Sequence, residues 1–239
     1  MVVERASRAP HRLPRPRQRL HRPRISSSEA RFRKVAIRSL FPTRICAAAL
    51  SPGRAAVLNR RLLRECVQLS HDDLAGQRWS RRNYPGGFTS YASAHQMHRQ
   101  SPTFAELQRW IDRQVARFVR ELQFDLGGKP LTMTDCWVNL MPRGVTHSLH
   151  LHPLSVVSGT YYVRVPRGAP GLKFEDPRLD RYMGAPPRKT DAAARNRNWV
   201  VMPAAPGSLL LFESWLRHEV VANSAASERI SISFNYGWG

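Results

Sequence analysis

The stretch RISISFNY, residues 229–236, alternates without a break. Arg229, Ser231, Ser233 and Asn235 share one face of an extended chain. Ile230, Ile232, Phe234 and Tyr236 share the other. The apolar face needs a core. The polar face points to solvent or to the inside of a barrel. An inward Arg229 needs an anion, because an unpaired buried charge is very costly.

Seven further strand-like runs precede it: 131–141, 147–152, 157–165, 171–175, 198–202, 207–213 and 218–222. Pro, Gly and Asn separate them, and no strong helix intervenes. Short strands at this spacing predict a β-sandwich or barrel of the jelly-roll type. The polar segment 179–197, with Pro186-Pro187 and several Arg, reads as a loop beside the barrel.

The N-terminal half is helical instead. Ala55 to Leu69 places Val57, Leu58, Leu62, Cys66, Val67 and Leu69 on or near one face. Ser101-Pro102 announces a second helix, and Thr103 and Glu106 have capping-box spacing. Phe104, Leu107, Trp110, Ile111, Val115, Phe118, Val119 and Leu122 follow at helical spacing. Val35 to Leu40 reads as an opening strand, and Pro85-Gly86-Gly87 as a turn. The expected fold is therefore mainly β with N-terminal helices, α+β overall. Helical support spans 54–126 and a β core spans 131–239.

Charge divides the chain differently. Its 239 residues carry a net +21, of which residues 1–34 hold +9. RAPHRLPRPRQRLHRPR (8–24) has no hydrophobic period, and its prolines forbid a regular helix. Residues 1–34 read as a disordered Arg/Pro-rich extension, and 35–239 as the folded domain. A hydrophobic content of 42% is enough for a core. No run approaches the roughly 18 apolar residues of a membrane span. Three scattered cysteines, Cys46, Cys66 and Cys136, fit neither a disulfide scaffold nor a cysteine zinc site, and predict a reducing, cytoplasmic setting. The basic excess favours anionic partners, nucleic acid among them, but no RNP motif, zinc finger or helix-turn-helix appears. No nucleophile elbow is present, which disfavours hydrolase chemistry.

The chemistry lies in HSLHLHP (147–153) and LFESWLRHEV (211–220). His150 and His152, two apart on a strand, share a face, whereas His147 faces away if the strand is regular. Two ligands at i and i+2 with a third, His218, on a later strand would present a metal facially. A satisfied cluster of core or surface histidines explains the same spacing equally well. Arg229 lies eleven residues after His218, room for one strand, a turn and a partial return. A dicarboxylate chelating a metal at one end would then reach Arg229 and Ser231 at the other.

This combination resembles the Fe(II)/2-oxoglutarate-dependent oxygenases, and more narrowly a bacterial family of 2-oxoglutarate–iron oxygenases. The matching segments are LFPT (40–43), NYPGGFTSY (83–91), DCWVNLMPRGVTHSLHLHPLSVVSGTYYV (135–163), LKFEDPR (172–178), LLFESWLRHEVVAN (210–223) and ERISISFNYGW (228–238). The resemblance implies a double-stranded β-helix core of jelly-roll or cupin-like form. It implies an oxidoreductase that uses Fe(II), 2-oxoglutarate and dioxygen to hydroxylate a further substrate. Carried over, His150 and His218 bind iron, and Arg229 and Ser231 bind the distal carboxylate of 2-oxoglutarate. Asn139 and one of Tyr161 or Tyr162 contact the oxo acid. One departure stands out: the wider superfamily has a carboxylate where this chain has His152. Either His152 is the third ligand or Asp176, Glu213 or Glu219 supplies a carboxylate. Two alternatives accompany this reading: a three-histidine cupin-like metal enzyme that does not use 2-oxoglutarate, and a non-enzymatic basic nucleic-acid-binding protein. The prime substrate (small metabolite, peptide side chain or nucleobase) and the oligomeric state are not legible.

Overall fold

A computed structural model describes residues 36–239. The basic extension 1–34 and Val35 lie outside the described residues. Residues 36–40 form no strand; the first strand is β1, Ile45–Ala49. Thr43–Gly239 makes one compact unit.

Four helices and nine further strands follow. They are α1 (Pro52–Asp72), α2 (Leu74–Asn83), β2 (Phe88–Thr89), α3 (Met97–Gln100), α4 (Pro102–Leu122), β3 (Thr132–Met141), β4 (His147–His150), β5 (Val157–Arg164), β6 (Leu172–Glu175), β7 (Trp199–Met202), β8 (Ser208–Glu213), β9 (His218–Val220) and β10 (Arg229–Gly237). All eight expected strands from 131 onward are present. Between β6 and β7 only two single 3-10 turns interrupt the irregular chain.

The strands form two antiparallel sheets. The major sheet runs β1-β8-β5-β10-β3-β2 and the minor sheet β4-β9-β6-β7. Neither closes on itself. Period-2 alternation divides the strands of the major sheet between two cores. On one face Val138, Tyr161, Val163, Leu209, Leu211, Ile230, Ile232, Phe234 and Tyr236 pack against Leu58, Leu62 and Cys66 of α1 and Phe104, Leu107, Trp110 and Ile111 of α4. On the other, Met141, Tyr162, Leu210 and Phe212 meet Leu172, Phe174 and Val220 of the minor sheet. The polar face of RISISFNY therefore turns into the space between the sheets. This is the double-stranded β-helix arrangement, backed by helices on one side.

The helix starts follow local chemistry. Ser101 caps α4, its hydroxyl accepting from the amides of Thr103 and Phe104 at 3.1 and 3.4 Å. Pro102 then occupies the first turn. Thr103 is buried, and Glu106 pairs with Arg61 of α1, so the Thr103–Glu106 box does not form. Instead Glu106 ties the two long helices together.

Candidate metal and oxo-acid site

The site sits where the two sheets meet. β4 pairs with β9, with His147 opposite Val220 and His150 opposite His218. Three residues on one strand span two on the other, so the register slips between them. This irregularity reverses the parity of β4. His147 turns inward with His150 and stacks on it, ring centroids 4.6 Å apart and 14° from parallel. The expectation that His147 faces away fails because the strand is not regular.

His150, His152 and His218 bring one nitrogen each within 4.8 Å of one another. His152 lies just past β4, its amide donating to the Ser214 carbonyl at 3.0 Å. The Nδ1 of His150 lies 2.7 Å from the Ser148 carbonyl, and the Nδ1 of His218 lies 2.9 Å from the Leu216 carbonyl. A carbonyl only accepts, so these contacts place the proton on Nδ1 and leave each Nε2 as a lone pair. The Nε2 atoms of His152 and His218 approach to 3.4 Å. Burial, reinforced by the neighbouring imidazoles, pushes His152 down to about 3 and His218 to about 4. Burial lowers His150 as well. The cluster is neutral at physiological pH, the state in which imidazole binds metal.

The alternative carboxylates are not part of this set. Asp176 is held by Arg178 and by the Tyr182 hydroxyl. Glu219 pairs with Lys173 at 2.7 Å. Among the described residues the three histidines form the only such donor cluster, and Glu213 does not join it.

Across the pocket stands Arg229, 3% exposed. Its guanidinium lies 4.9 Å from the centre of the Tyr162 ring and donates to Ser231 Oγ at 3.3 Å. Its Nε has no partner, and none of the ion pairs among the described residues includes it. The Tyr162 hydroxyl and Asn139 Oδ1 are likewise buried and unpartnered. A buried cation beside orphaned polar atoms fits an anionic ligand with further hydrogen-bonding atoms. Strand register explains the grouping. On β10, Ser231 is flanked by Asn139 of β3 and Tyr162 of β5.

Tyr161 does not belong to this site. It alternates to the helix side of the sheet, where its ring meets Trp110 edge-on and its hydroxyl donates to Asn59 Oδ1 at 2.7 Å. Consecutive strand residues face opposite ways, so only one tyrosine of the pair lies on the inner side of the sheet. That residue is Tyr162, packed against the Arg229 guanidinium.

Sequence reasoning missed Tyr84. Its ring lies 5.2 Å from His147, and it lines the same pocket as Arg229. Burial raises its hydroxyl to about 12, opposed by the Arg229 charge, so it stays a neutral donor. Gly87 makes this placement possible, since a Cβ there would come within 2.4 Å of the Tyr84 ring. Thr160, Ser233 and Trp137 complete the polar and aromatic lining. Alternation predicts the inward face of Ser233, whereas Tyr84 precedes the β core and carries no periodic signal.

Residues 135–235 match the family described as “Putative 2OG-Fe(II) oxygenase”. This segment belongs to the 2OG-Fe(II) oxygenase family. The match spans every ligand candidate and both oxo-acid anchors. No curated protein is similar in sequence. Among solved structures, the oxygenase domain is similar to SnoK, a non-heme alpha ketoglutarate dependent carbocyclase from nogalamycin biosynthesis. The TM-score is 0.56 at 13% identity, covering 89% of this chain and 83% of that one. A prolyl-4-hydroxylase of Pseudomonas putida gives 0.51 at 17%, covering 82% and 94%. HygX from Streptomyces hygroscopicus, solved with nickel and 2-oxoglutarate bound, gives 0.52 at 15%, covering 82% of each. At these identities the likeness is one of fold.

Proposed function

We propose that residues 35–239 form an Fe(II)/2-oxoglutarate-dependent dioxygenase, with hydroxylation of a further substrate as its reaction. His150, His152 and His218 hold the iron through Nε2. Arg229 and Ser231 take the distal carboxylate of 2-oxoglutarate, with Tyr84 and Tyr162 as neutral hydroxyl donors beside it. Asn139 gives its amide Nδ2 to Ser233 Oγ at 3.1 Å. It reaches the oxo acid as a donor once that amide turns.

Bound together, iron and 2-oxoglutarate supply oxidative decarboxylation of the oxo acid coupled to oxidation of a substrate C–H bond by dioxygen. The chain supplies placement and charge. Three neutral imidazoles leave a dication uncompensated, and 2-oxoglutarate brings two negative charges. One meets the metal and the other meets Arg229. Stacked rings and Phe212, 4.6 Å from His218, keep solvent off the ligand side. Dioxygen and the prime substrate are the remaining partners. Free cysteines at positions 46, 66 and 136 support a reducing, cytoplasmic setting. No described helix is long and apolar enough to cross a membrane.

One observation carries this reading: a buried guanidinium without a carboxylate partner faces the same pocket as a convergent three-histidine donor set. The orphaned Arg229 also favours it over a three-histidine enzyme without an oxo acid, which would leave that charge unused. The test is anaerobic Fe(II) titration with and without 2-oxoglutarate, watching the visible metal-to-ligand charge-transfer band. A band that needs both partners, and that a folded His152→Ala variant loses, is expected. Iron binding without a band returns the three-histidine alternative. No iron binding by the folded chain ends the proposal.

A further inference from the structure

On the helix-covered side of the major sheet, away from the histidine cluster, α4 and the chain from Leu126 to Met133 border a groove of ≈ 800 Å³. That is within the range of about 300–1,000 Å³ common for small-molecule sites. Its floor is apolar, with Val115, Leu131 and Met133 buried and Val119 and Leu126 half-buried. His98 of α3 also lines it. His98 is 5% exposed, and neither of its ring nitrogens has a hydrogen-bond partner. A buried imidazole with both nitrogens idle forfeits two hydrogen bonds, which native structures rarely tolerate without a ligand or solvent to supply them. Burial, with Arg99 adding to it, lowers the His98 pKa. The ring is therefore neutral and offers one donor and one acceptor.

The polar lining is asymmetric. Arg99 and Arg113 are exposed at the groove, and neither takes part in an ion pair among the described residues. The one carboxylate in the lining, Asp112, already accepts from the Tyr236 hydroxyl at 2.5 Å. Burial raises the Asp112 pKa, opposed by the Tyr236 hydrogen bond and the Arg113 charge. Two guanidinium groups against this one carboxylate leave the lining net cationic, and the surface between the charges is apolar.

We infer that this groove binds a small amphipathic anion, its apolar body over Val115, Leu131 and Met133 and its carboxylate head at the His98–Arg99 end. The oxygenase reaction does not require the site, which lies across the major sheet from Arg229. It is a separate binding function of the same domain.

The test is calorimetric titration of the full chain with octanoate and with octanol. One-to-one octanoate binding is expected, stronger than octanol binding. Ala116 is exposed in the groove wall, so Ala116→Trp fills the groove without entering the core. That variant is expected to melt like the parent and to bind octanoate about tenfold more weakly or worse, a loss of about 1.4 kcal/mol. Arg99→Ala combined with Arg113→Ala is expected to remove the preference for octanoate over octanol. His98→Phe is expected to weaken octanoate severalfold. Absence of saturable octanoate binding overturns the inference. So does binding that Ala116→Trp leaves intact. Displacement of octanoate by 2-oxoglutarate with Fe(II) would place it in the oxygenase pocket, and overturns the inference as well.

Discussion

His147 lies flat against His150, 4.6 Å between ring centres, and the Tyr84 ring lies 5.2 Å from His147. The His150 ring is thereby held from two directions, by the Ser148 carbonyl at Nδ1 and by an imidazole on its face. Groups that orient a ligand commonly change metal affinity by about 10–100-fold when removed. His147→Ala should weaken Fe(II) binding by about tenfold with the fold retained. His147→Phe, which keeps a flat ring, should recover most of it. Unchanged affinity in His147→Ala, measured by anaerobic competition with a chelating dye, would show that the stack has no orienting role.

Arg229 makes the opposite case, a charge that costs stability until its partner arrives. Its Nε is unpartnered and no carboxylate balances it. Truncating one member of a buried charge pair costs about 2–5 kcal/mol of binding. Arg229→Ala should therefore raise the 2-oxoglutarate requirement by about thirtyfold or more. It should leave Fe(II) affinity nearly intact, and the ligand-free variant should melt no lower than the parent. A variant with unaltered 2-oxoglutarate dependence would remove Arg229 from the proposed site.

Acid sensitivity follows from the histidines. His147 and His152 are pushed down to about 3 and His218 to about 4, against an unfolded value of 6.5. Between those limits the unfolded chain binds protons that the folded chain refuses. Stability rises with pH wherever the unfolded state is the more protonated. The metal-free protein should thus lose stability steadily as pH falls from 6.5 towards 4. Asp176, held at about 2 by Arg178, adds a loss of the same sign only below its unfolded value of 3.8. Urea unfolding at pH 7.5 and pH 5.0 isolates the histidine contribution. Equal stability at the two values would mean that the histidines are not buried as neutral rings.

What the sequence reveals is set by periodicity. Strict alternation in RISISFNY gives the inward face of Arg229, Ser231 and Ser233, because strand geometry leaves no other choice. The same rule separates Tyr161 from Tyr162 once the packing partners of β5 are known, and from sequence alone it leaves the pair undivided. His147 defeats the rule, since a register slip in β4 adds a residue that parity cannot anticipate. β1 (ICAAA) and α2 (LAGQRWSRRN) are also silent: the first is rich in alanine and the second is poor in apolar residues. Tertiary contacts, not propensity, hold both in place. β1 lies along β8 in the major sheet, and α2 ends at the Tyr84 turn that feeds the site.

That turn permits one further prediction. The Tyr84 ring reaches the pocket because Gly87 has no side chain, and a Cβ there would sit 2.4 Å from the ring. The nearest atoms belong to a side chain, so the ring and not the backbone must move. Gly87→Ala should displace Tyr84 from beside His147 and away from Arg229. The loss of one hydroxyl donor to a carboxylate is worth about 1.5–3 kcal/mol. 2-Oxoglutarate affinity should thus fall by about tenfold or more. Tyr84→Phe should reproduce most of that loss with the ring still in place. Fe(II) affinity, set by three other residues, should change far less in Tyr84→Phe than in Gly87→Ala, where the ring also leaves its place beside His147. Full 2-oxoglutarate affinity in Tyr84→Phe would show that the hydroxyl does not touch the oxo acid, and would leave Tyr84 the role of bracing His147.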